Sequence, residues 1–310
     1  MDHDKPRAGR NKTLTISESE AAELQSKLLT ADTIDDNSLI DSIIRADMLE
    51  VIDRLPDHFA DLIIIDPPYN LERNFGTQHF SKMQAERYEE YLRSWFGRVC
   101  RKLKADGTLY MCGDWHCSAS MQRVMEEELT ILNRITWQRD KGRGAKQNWK
   151  NVMEDIWFAV SDPKDYHFDI EAVKVKRKVR APYTEGGKPK DWTQESDGRF
   201  RLTCPPNIWD DISIPFWSMA ENTDHPTQKP EKLYAKLILA SSEPGDIVFD
   251  PFMGSGTAPV VAKKLGRHYC GIELNEEYCL WALKRLEKAD HDTTIQGYRD
   301  GVFWERNTCS

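Results

Sequence analysis

Two short stretches carry residue types that can do chemistry. The first is Asp66-Pro67-Pro68-Tyr69, which follows the apolar run Leu62-Ile63-Ile64-Ile65. Such a run predicts a strand at 60–65 buried on both faces of a parallel sheet. Ending that strand on Asp66 puts a carboxylate at the rim. Proline fixes φ and lacks an N–H, yet keeps its carbonyl acceptor. Asp66 and the Pro67 carbonyl are thus two pre-positioned acceptors, and Tyr69 adds a π face beside them. A strand-end Asp is also an ordinary helix cap and Pro-Pro an ordinary turn, so this motif needs company before it carries a function.

The second stretch is Asp250-Pro251-Phe252-Met253-Gly254-Ser255-Gly256-Thr257, between a predicted strand at 247–249 and a predicted helix at 258–265. Small residues at 254–256 let a ligand approach the backbone closely. Glu273 closes the next predicted strand, where nucleotide-binding sheets hold ribose hydroxyls. The turn is G-x-G, without the third glycine of a dinucleotide fingerprint, and there is no G-x-x-x-x-G-K-[ST] phosphate loop. Strand, glycine turn, helix, strand and terminal acid together point to an adenosine-type ligand.

With His225-Pro226-Thr227-Gln228-Lys229-Pro230, these motifs resemble the S-adenosylmethionine-dependent amino-group DNA methyltransferases. The Asp-Pro-Pro-Tyr motif precedes the glycine turn, and that order resembles the permuted β-class. The resemblance spans roughly 40–290. It implies a class I methyltransferase fold: a doubly wound, mostly parallel α/β sheet in circularly permuted motif order, with an inserted target-recognition region. It also implies S-adenosylmethionine as cofactor, double-stranded DNA as partner, and a catalytic set of Asp66, Pro67, Pro68 and Tyr69. The implied cofactor site comprises Asp47, Asp66, His225, Thr227, Lys229, Asp250, Phe252, Met253, Gly254, Ser255, Gly256, Thr257, Glu273, Leu274 and Asn275. A homodimer and a cognate restriction endonuclease are further partners that the resemblance allows.

That chemistry suits the opening motif. An exocyclic amino nitrogen of adenine or cytosine is a poor nucleophile, because its lone pair is delocalised into the ring. Two acceptors on its N–H groups favour a geometry that directs the lone pair at an electrophile. Tyr69 offers a face for a flipped-out base. The sequence leaves open whether Asp66 also takes the proton, and whether Lys229 holds a cofactor carboxylate or caps a helix. Asp66 favours adenine-N6 over cytosine-N4, where Ser is commoner, and Tyr69 stands where an RNA-modifying group tends to have Trp. A non-catalytic DNA-binding subunit is the reading from another class; it would not need both motifs intact.

The positioning elements follow from periodicity. A capping box at Ser17 to Glu20 opens a helix through about Leu29. Helices are expected at 49–55, 88–103, 121–128, 231–241 and 275–288. Strands are expected at 60–65, 108–112, 135–138, 155–160, 247–249 and 268–272, with a turn at 105–107. Residues 161–223 lose periodicity and gather Pro, Gly and Trp. The expected division is an N-terminal extension 1–40, a catalytic half 41–160, a target-recognition insertion 161–223, a cofactor half 224–290 and a tail 291–310.

The chain has 310 residues, 39% hydrophobic and 30% charged, with a net charge of −8. An acidic total argues against nucleic acid, but the distribution matters more. Residues 139–150 carry Arg139, Lys141, Arg143, Lys146 and Lys150 against Asp140 alone. Residues 172–190 carry seven cations, among them Arg177, Lys178 and Arg180, against Glu185 alone. With Arg199 these are the candidate DNA contacts. Trp137, Trp157 and Phe158 are expected in the core, and Trp192, Trp209 and Trp217 in packing within the insertion. Asn70 either orients the loop after it or ends the turn. The segment 71–83 could close over a flipped base or be a plain surface loop. Seven scattered cysteines without a C-x-x-C argue for free thiols and a cytoplasmic location, and no metal site is expected. No apolar run reaches membrane-spanning length.

Overall fold

The computed structural model describes residues 8–35, 38–71, 73–75, 78–143 and 147–305, with only the backbone path of 73–75, 78–80 and 141–143. Among these residues, nine strands form one sheet. Their order is Leu29–Thr30, Ser42–Arg45, His268–Glu273, Ile247–Asp250, Ala60–Ile65, Leu103–Gly113, Asn151–Val160, Thr130–Arg143 and Ile208–Trp209. Every neighbouring pair is parallel except those made by Asn151–Val160, which runs against both its neighbours. This is the expected doubly wound, mostly parallel architecture.

The apolar run at 62–65 explains why the sheet has helices on both faces. Side chains alternate along a strand. Leu62 and Ile64 enter one core with Leu233, Leu237 and Val261 from the helices Glu231–Ser241 and Thr257–Lys264. Ile63 and Ile65 enter the other with Tyr88, Leu92, Met121 and Met125 from Ala85–Arg93 and Trp115–Glu128. All four strand residues are fully buried.

Several elements depart from their expected bounds. The 88–103 helix is two helices, Ala85–Arg93 and Phe96–Cys100. The turn at 105–107 is an irregularity inside the long strand Leu103–Gly113: pairing with Ala60–Ile65 jumps from Leu103 to Thr108. The strand Ser42–Arg45 was not anticipated, being only four residues long with polar ends. The capping box holds, with the helix ending at Gln25.

The flanking segments are woven into the sheets. Leu29–Thr30 pairs with Ser42–Arg45 at the edge. The 161–223 segment is not irregular throughout. It supplies Ile208–Trp209 to the main sheet and Val175–Lys178, Thr193–Glu195 and Gly198–Thr203 to a second, five-stranded sheet. Val302–Trp304 pairs in parallel with Val175–Lys178 in the middle of that sheet, so residues 298–304 of the expected tail are built into it. Trp209 is buried beside Trp137, whereas Trp217 is 53% exposed and Trp192 sits under Arg199.

Buried ions fasten this second sheet to the main domain. Lys232 Nζ donates to Asp211 Oδ2 at 2.7 Å and to the Trp304 carbonyl at 2.6 Å, and Lys236 Nζ donates to Asp211 Oδ1 at 3.2 Å. Burial pushes the Lys236 ammonium down to about 8 although Asp211 opposes the shift. Phe303 is fully buried against this cluster. Phe303→Ala is expected to cost about 3–5 kcal/mol, read as a lower urea midpoint; a surface-like effect below about 0.5 kcal/mol would show that the segment is peripheral.

Candidate active site

Ala60–Ile65 and Ile247–Asp250 are neighbours in parallel, with Leu62 opposite Val248 and Ile63 opposite Phe249. Their carboxyl ends therefore open side by side, the rim where open α/β sheets bind ligands. Asp66 leaves one strand and the glycine turn leaves the other. A cavity of about 620 Å³ lies over both.

The turn is built for close approach. Gly254 has φ +52°, and a Cβ there would meet His225 Nε2 at 2.9 Å. His225 packs edge-on against Tyr278, and its Nδ1 accepts from the Thr227 N–H at 3.3 Å. Glu273 Oε2 accepts from Gly254 N at 3.1 Å and Oε1 from Asn275 N at 2.7 Å. Burial pushes the Glu273 carboxyl up although these N–H groups oppose it.

Most of the expected cofactor residues line the cavity: Asp47, Asp66, His225, Thr227, Lys229, Phe252, Met253, Gly254, Ser255, Thr257, Glu273, Leu274 and Asn275. Pro67, Pro68 and Tyr69 line it as well. Asp250 and Gly256 are exceptions. Asp250 is only 1% exposed; its Oδ1 accepts from Phe252 N at 3.0 Å, shaping the turn from behind. A Cβ on Gly256, at φ +77°, would meet the Ala282 Cβ at 2.4 Å, so its glycine serves helix packing. Asp47 caps Met48–Val51 by accepting from Leu49 N at 2.9 Å.

The loop after Tyr69 is anchored at its base. Asn70 Nδ2 donates to the Met83 carbonyl at 2.9 Å and Asn70 Oδ1 accepts from Met83 N at 2.6 Å, so Asn70 orients the segment between them. Tyr88 OH donates to the Pro68 carbonyl at 3.1 Å. Within that segment the backbone of Arg73–Phe75 pairs antiparallel with Gln78–Phe80; residues 72, 76 and 77 lie outside the described residues.

Asp66 sits in a dense charge cluster. Tyr69 OH donates to Asp66 Oδ1 at 2.7 Å, and Lys229 Nζ donates to Asp66 Oδ2 at 2.5 Å. Lys229 Nζ also reaches the Tyr69 hydroxyl at 3.1 Å and Glu154 Oε2 at 3.3 Å. Arg139 Nη1 pairs with Glu154 Oε1 at 3.0 Å. Burial alone would lower the Lys229 ammonium, but Asp66 and Glu154 outweigh it and hold it above its ordinary value. Burial, then Asp66, pushes the Tyr69 phenol well up and keeps it a donor. Lys229 thus contacts the acid of the Asp-Pro-Pro-Tyr motif directly; it does not cap the helix Glu231–Ser241, whose N-cap residue is Pro230.

Sequence reasoning missed Glu154. It lies two residues before the apolar stretch Ile156–Val160, in a strand that runs from Asn151 although its expected start was Asp155. Two consecutive acids, Glu154 and Asp155, running into so apolar a strand were the available signal. Arg45, Leu49, Tyr91, Tyr234 and Tyr278 also line the cavity and were not anticipated.

A second buried network holds the two motifs together. Thr257 Oγ1 donates to the Lys229 carbonyl at 3.0 Å. Arg285 Nη1 donates to the Ser255 carbonyl at 2.8 Å, and its Nη2 pairs with Glu231 Oε1 at 3.0 Å. Glu221 Oε2 accepts from Glu231 N at 2.8 Å.

The expected DNA contacts fall into separate groups. Arg139 is engaged by Glu154. Arg177, Lys178 and Arg199 share one antiparallel pair of the second sheet; Arg177 pairs with Glu305 at 3.4 Å, and Lys178, Arg180 and Arg199 are exposed. The side chains of Lys141 and Arg143, and all of Lys146, lie outside the described residues.

Known proteins resemble this chain in sequence and fold. A family profile for N6/N4 methyltransferases, described as DNA methylase, matches residues 60–284. The chain is 35% identical over 251 residues to the DNA adenine methyltransferase YhdJ of Escherichia coli (strain K12), covering 81% of this chain and 84% of that protein. It is 32% identical to the type II methyltransferase M.HpaI of Haemophilus parainfluenzae, covering 79% and 74%. The crystal structure of the M1.HpyAVI-SAM complex superposes with a TM-score of 0.54 at 24% identity, covering 79% of this chain and 98% of that one.

Burial, then the Glu231 charge, raises the Glu221 carboxyl above its ordinary 4.5. The folded state therefore binds more protons than the unfolded one above pH 4.5. The stability this group contributes is full in acid and is lost as pH rises toward neutrality. Glu221→Gln keeps the acceptor and removes the titration. Its denaturation midpoint is expected to fall less than that of the wild type between pH 4.5 and 7; parallel curves would contradict the assignment.

Proposed function

The chain belongs to this DNA methylase family, and from that premise we propose that it transfers a methyl group from S-adenosylmethionine to N6 of an adenine flipped out of duplex DNA. One observation carries the reading: Asp66 and the glycine turn leave adjacent parallel strands and face one cavity.

The residues fit the cofactor. The glycine at 254 removes a Cβ that His225 would obstruct, leaving the turn open to a ligand. The Glu273 carboxylate suits ribose hydroxyls, and Asp47, Leu49 and Leu274 line the same cavity. When bound, the cofactor supplies an electrophilic methyl group on a cationic sulfonium. The chain's own task is placement and electrostatics. Asp66 and the Pro67 carbonyl accept from the target amino group and direct its lone pair. Asp66 stabilises the positive charge that grows on nitrogen. Tyr69 offers its ring to the base while its hydroxyl steadies Asp66.

DNA contact is assigned to Arg139 with Lys141, Arg143 and Lys146, and to Arg177, Lys178, Arg180 and Arg199, the last group with the second sheet as the recognition unit. Asp66 supports adenine over cytosine, as does the likeness to the Escherichia coli DNA adenine methyltransferase YhdJ. The name of M.HpaI as a type II methyltransferase supports a restriction-modification setting with a cognate endonuclease.

The test is incubation with duplex DNA and methyl-labelled cofactor, then digestion to nucleosides. N6-methyladenine is expected, and N4-methylcytosine would overturn the base assignment. Asp66→Ala is expected to lower kcat about 100-fold or more while cofactor affinity stays within about threefold; lost cofactor binding would contradict this division of roles.

A further inference from the structure

Four charged side chains form a continuous file from the basic stretch to the active acid: Arg139, Glu154, Lys229 and Asp66, at 3.0, 3.3 and 2.5 Å. Its outer member is 25% exposed, and Glu154 and Lys229 are under 10% exposed. In a buried site each charge is felt strongly by the next. Lys229 has one ammonium and two claimants, and it presently lies closer to Asp66. That position opposes the proposed chemistry: a cation on Asp66 competes with the target amino group and repels the positive charge growing on nitrogen. Glu154 is the other acceptor in reach, and its second oxygen is held by Arg139.

We propose, on the reading of the chain as an amino methyltransferase, that Glu154 is a positioning residue of the transfer: it shares Lys229 with Asp66, and Arg139 sets the share. A DNA phosphate that draws Arg139 outward leaves Glu154 with uncompensated charge. Glu154 then holds Lys229 more strongly, and Asp66 is released to accept from the target base. The file thus ties readiness of the acid to arrival of DNA. Tyr69 OH bridges the same two carboxylates, 2.7 Å from Asp66 and 3.3 Å from Glu154, so the ring that meets the base registers the same exchange.

The test uses the full chain, with cofactor and DNA binding measured beside turnover. Glu154→Gln keeps shape and hydrogen bonding but loses the charge, so Lys229 stays on Asp66. Its kcat is expected to fall about 100-fold, with KM for cofactor and for DNA within about threefold of wild type. The decisive comparison is the double variant: adding Lys229→Gln removes the uncompensated cation and is expected to raise kcat about tenfold above Glu154→Gln alone. Losses that simply multiply would overturn the proposal. Arg139→Gln frees Glu154 for Lys229 before DNA arrives, so its effect is expected chiefly in KM for DNA, which rises, with a kcat loss at least about tenfold smaller than the roughly 100-fold expected of Glu154→Gln. A kcat loss in Arg139→Gln as deep as in Glu154→Gln would make Arg139 a mere support and overturn the coupling. Arg139 is at the partly exposed end, so if Glu154→Gln does not fold this arm still decides: a kcat loss of about 100-fold in Arg139→Gln overturns the coupling. Transfer by the wild-type chain is scored in the same assay, which separates failure of the coupling from failure of the function.

Discussion

The parallel pairing of Ala60–Ile65 with Ile247–Asp250 is the constraint on which the rest depends. The two strands lie nearly two hundred residues apart in the chain, yet they sit side by side at the centre of the sheet. Parallel neighbours must point the same way, so the segments leaving their carboxyl ends emerge at the same rim. Asp-Pro-Pro-Tyr and the glycine turn share a cavity for that reason. Burial on both faces fixes the register, because a slip of one residue would turn Leu62 and Ile64 into the wrong core.

On that frame the site is governed by charge in short supply of water. Carboxylates of Asp66 and Glu273 line one cavity, with Glu154 behind Asp66 on the shared Lys229 and Asp250 buried behind the turn. Each is answered differently: Asp66 by Lys229 and Tyr69, Glu154 by Lys229 and Arg139, Glu273 by backbone N–H groups, Asp250 by the Phe252 N–H. Groups satisfied by backbone are held in place. Groups satisfied by a shared side chain have a second arrangement open to them. The second kind gathers around Asp66, where the chemistry is proposed.

Much of the frame was legible in the sequence. The bounds of Ala60–Ile65 and Glu231–Ser241 were read without error, because each is an apolar segment with an abrupt polar or proline boundary. The residues brought to the cavity by local motifs were legible for the same reason. The features that escaped were non-local. Glu154 gains its meaning only from a lysine on a distant segment. Asp250 and Gly256 look like ligand contacts in the motif, but packing turns them inward. Val302–Trp304 is short and surrounded by turns, and its pairing with Tyr298–Arg299 on one side and Val175–Lys178 on the other makes it a strand.

That last pairing bears on how the protein is made. Synthesis runs from the N-terminus, and domains generally fold as units as they emerge. The strand Val175–Lys178 is among the earlier parts of the second sheet to be translated, but its parallel neighbour is not available until residue 304 has left the ribosome. The cofactor-side strands at 247–250 and 268–273 are already complete by then. A nascent chain therefore holds every residue of the cavity before the exposed cations of Lys178 and Arg199 have their finished platform, and the order of translation separates completion of the proposed cofactor pocket from completion of the proposed polyanion face.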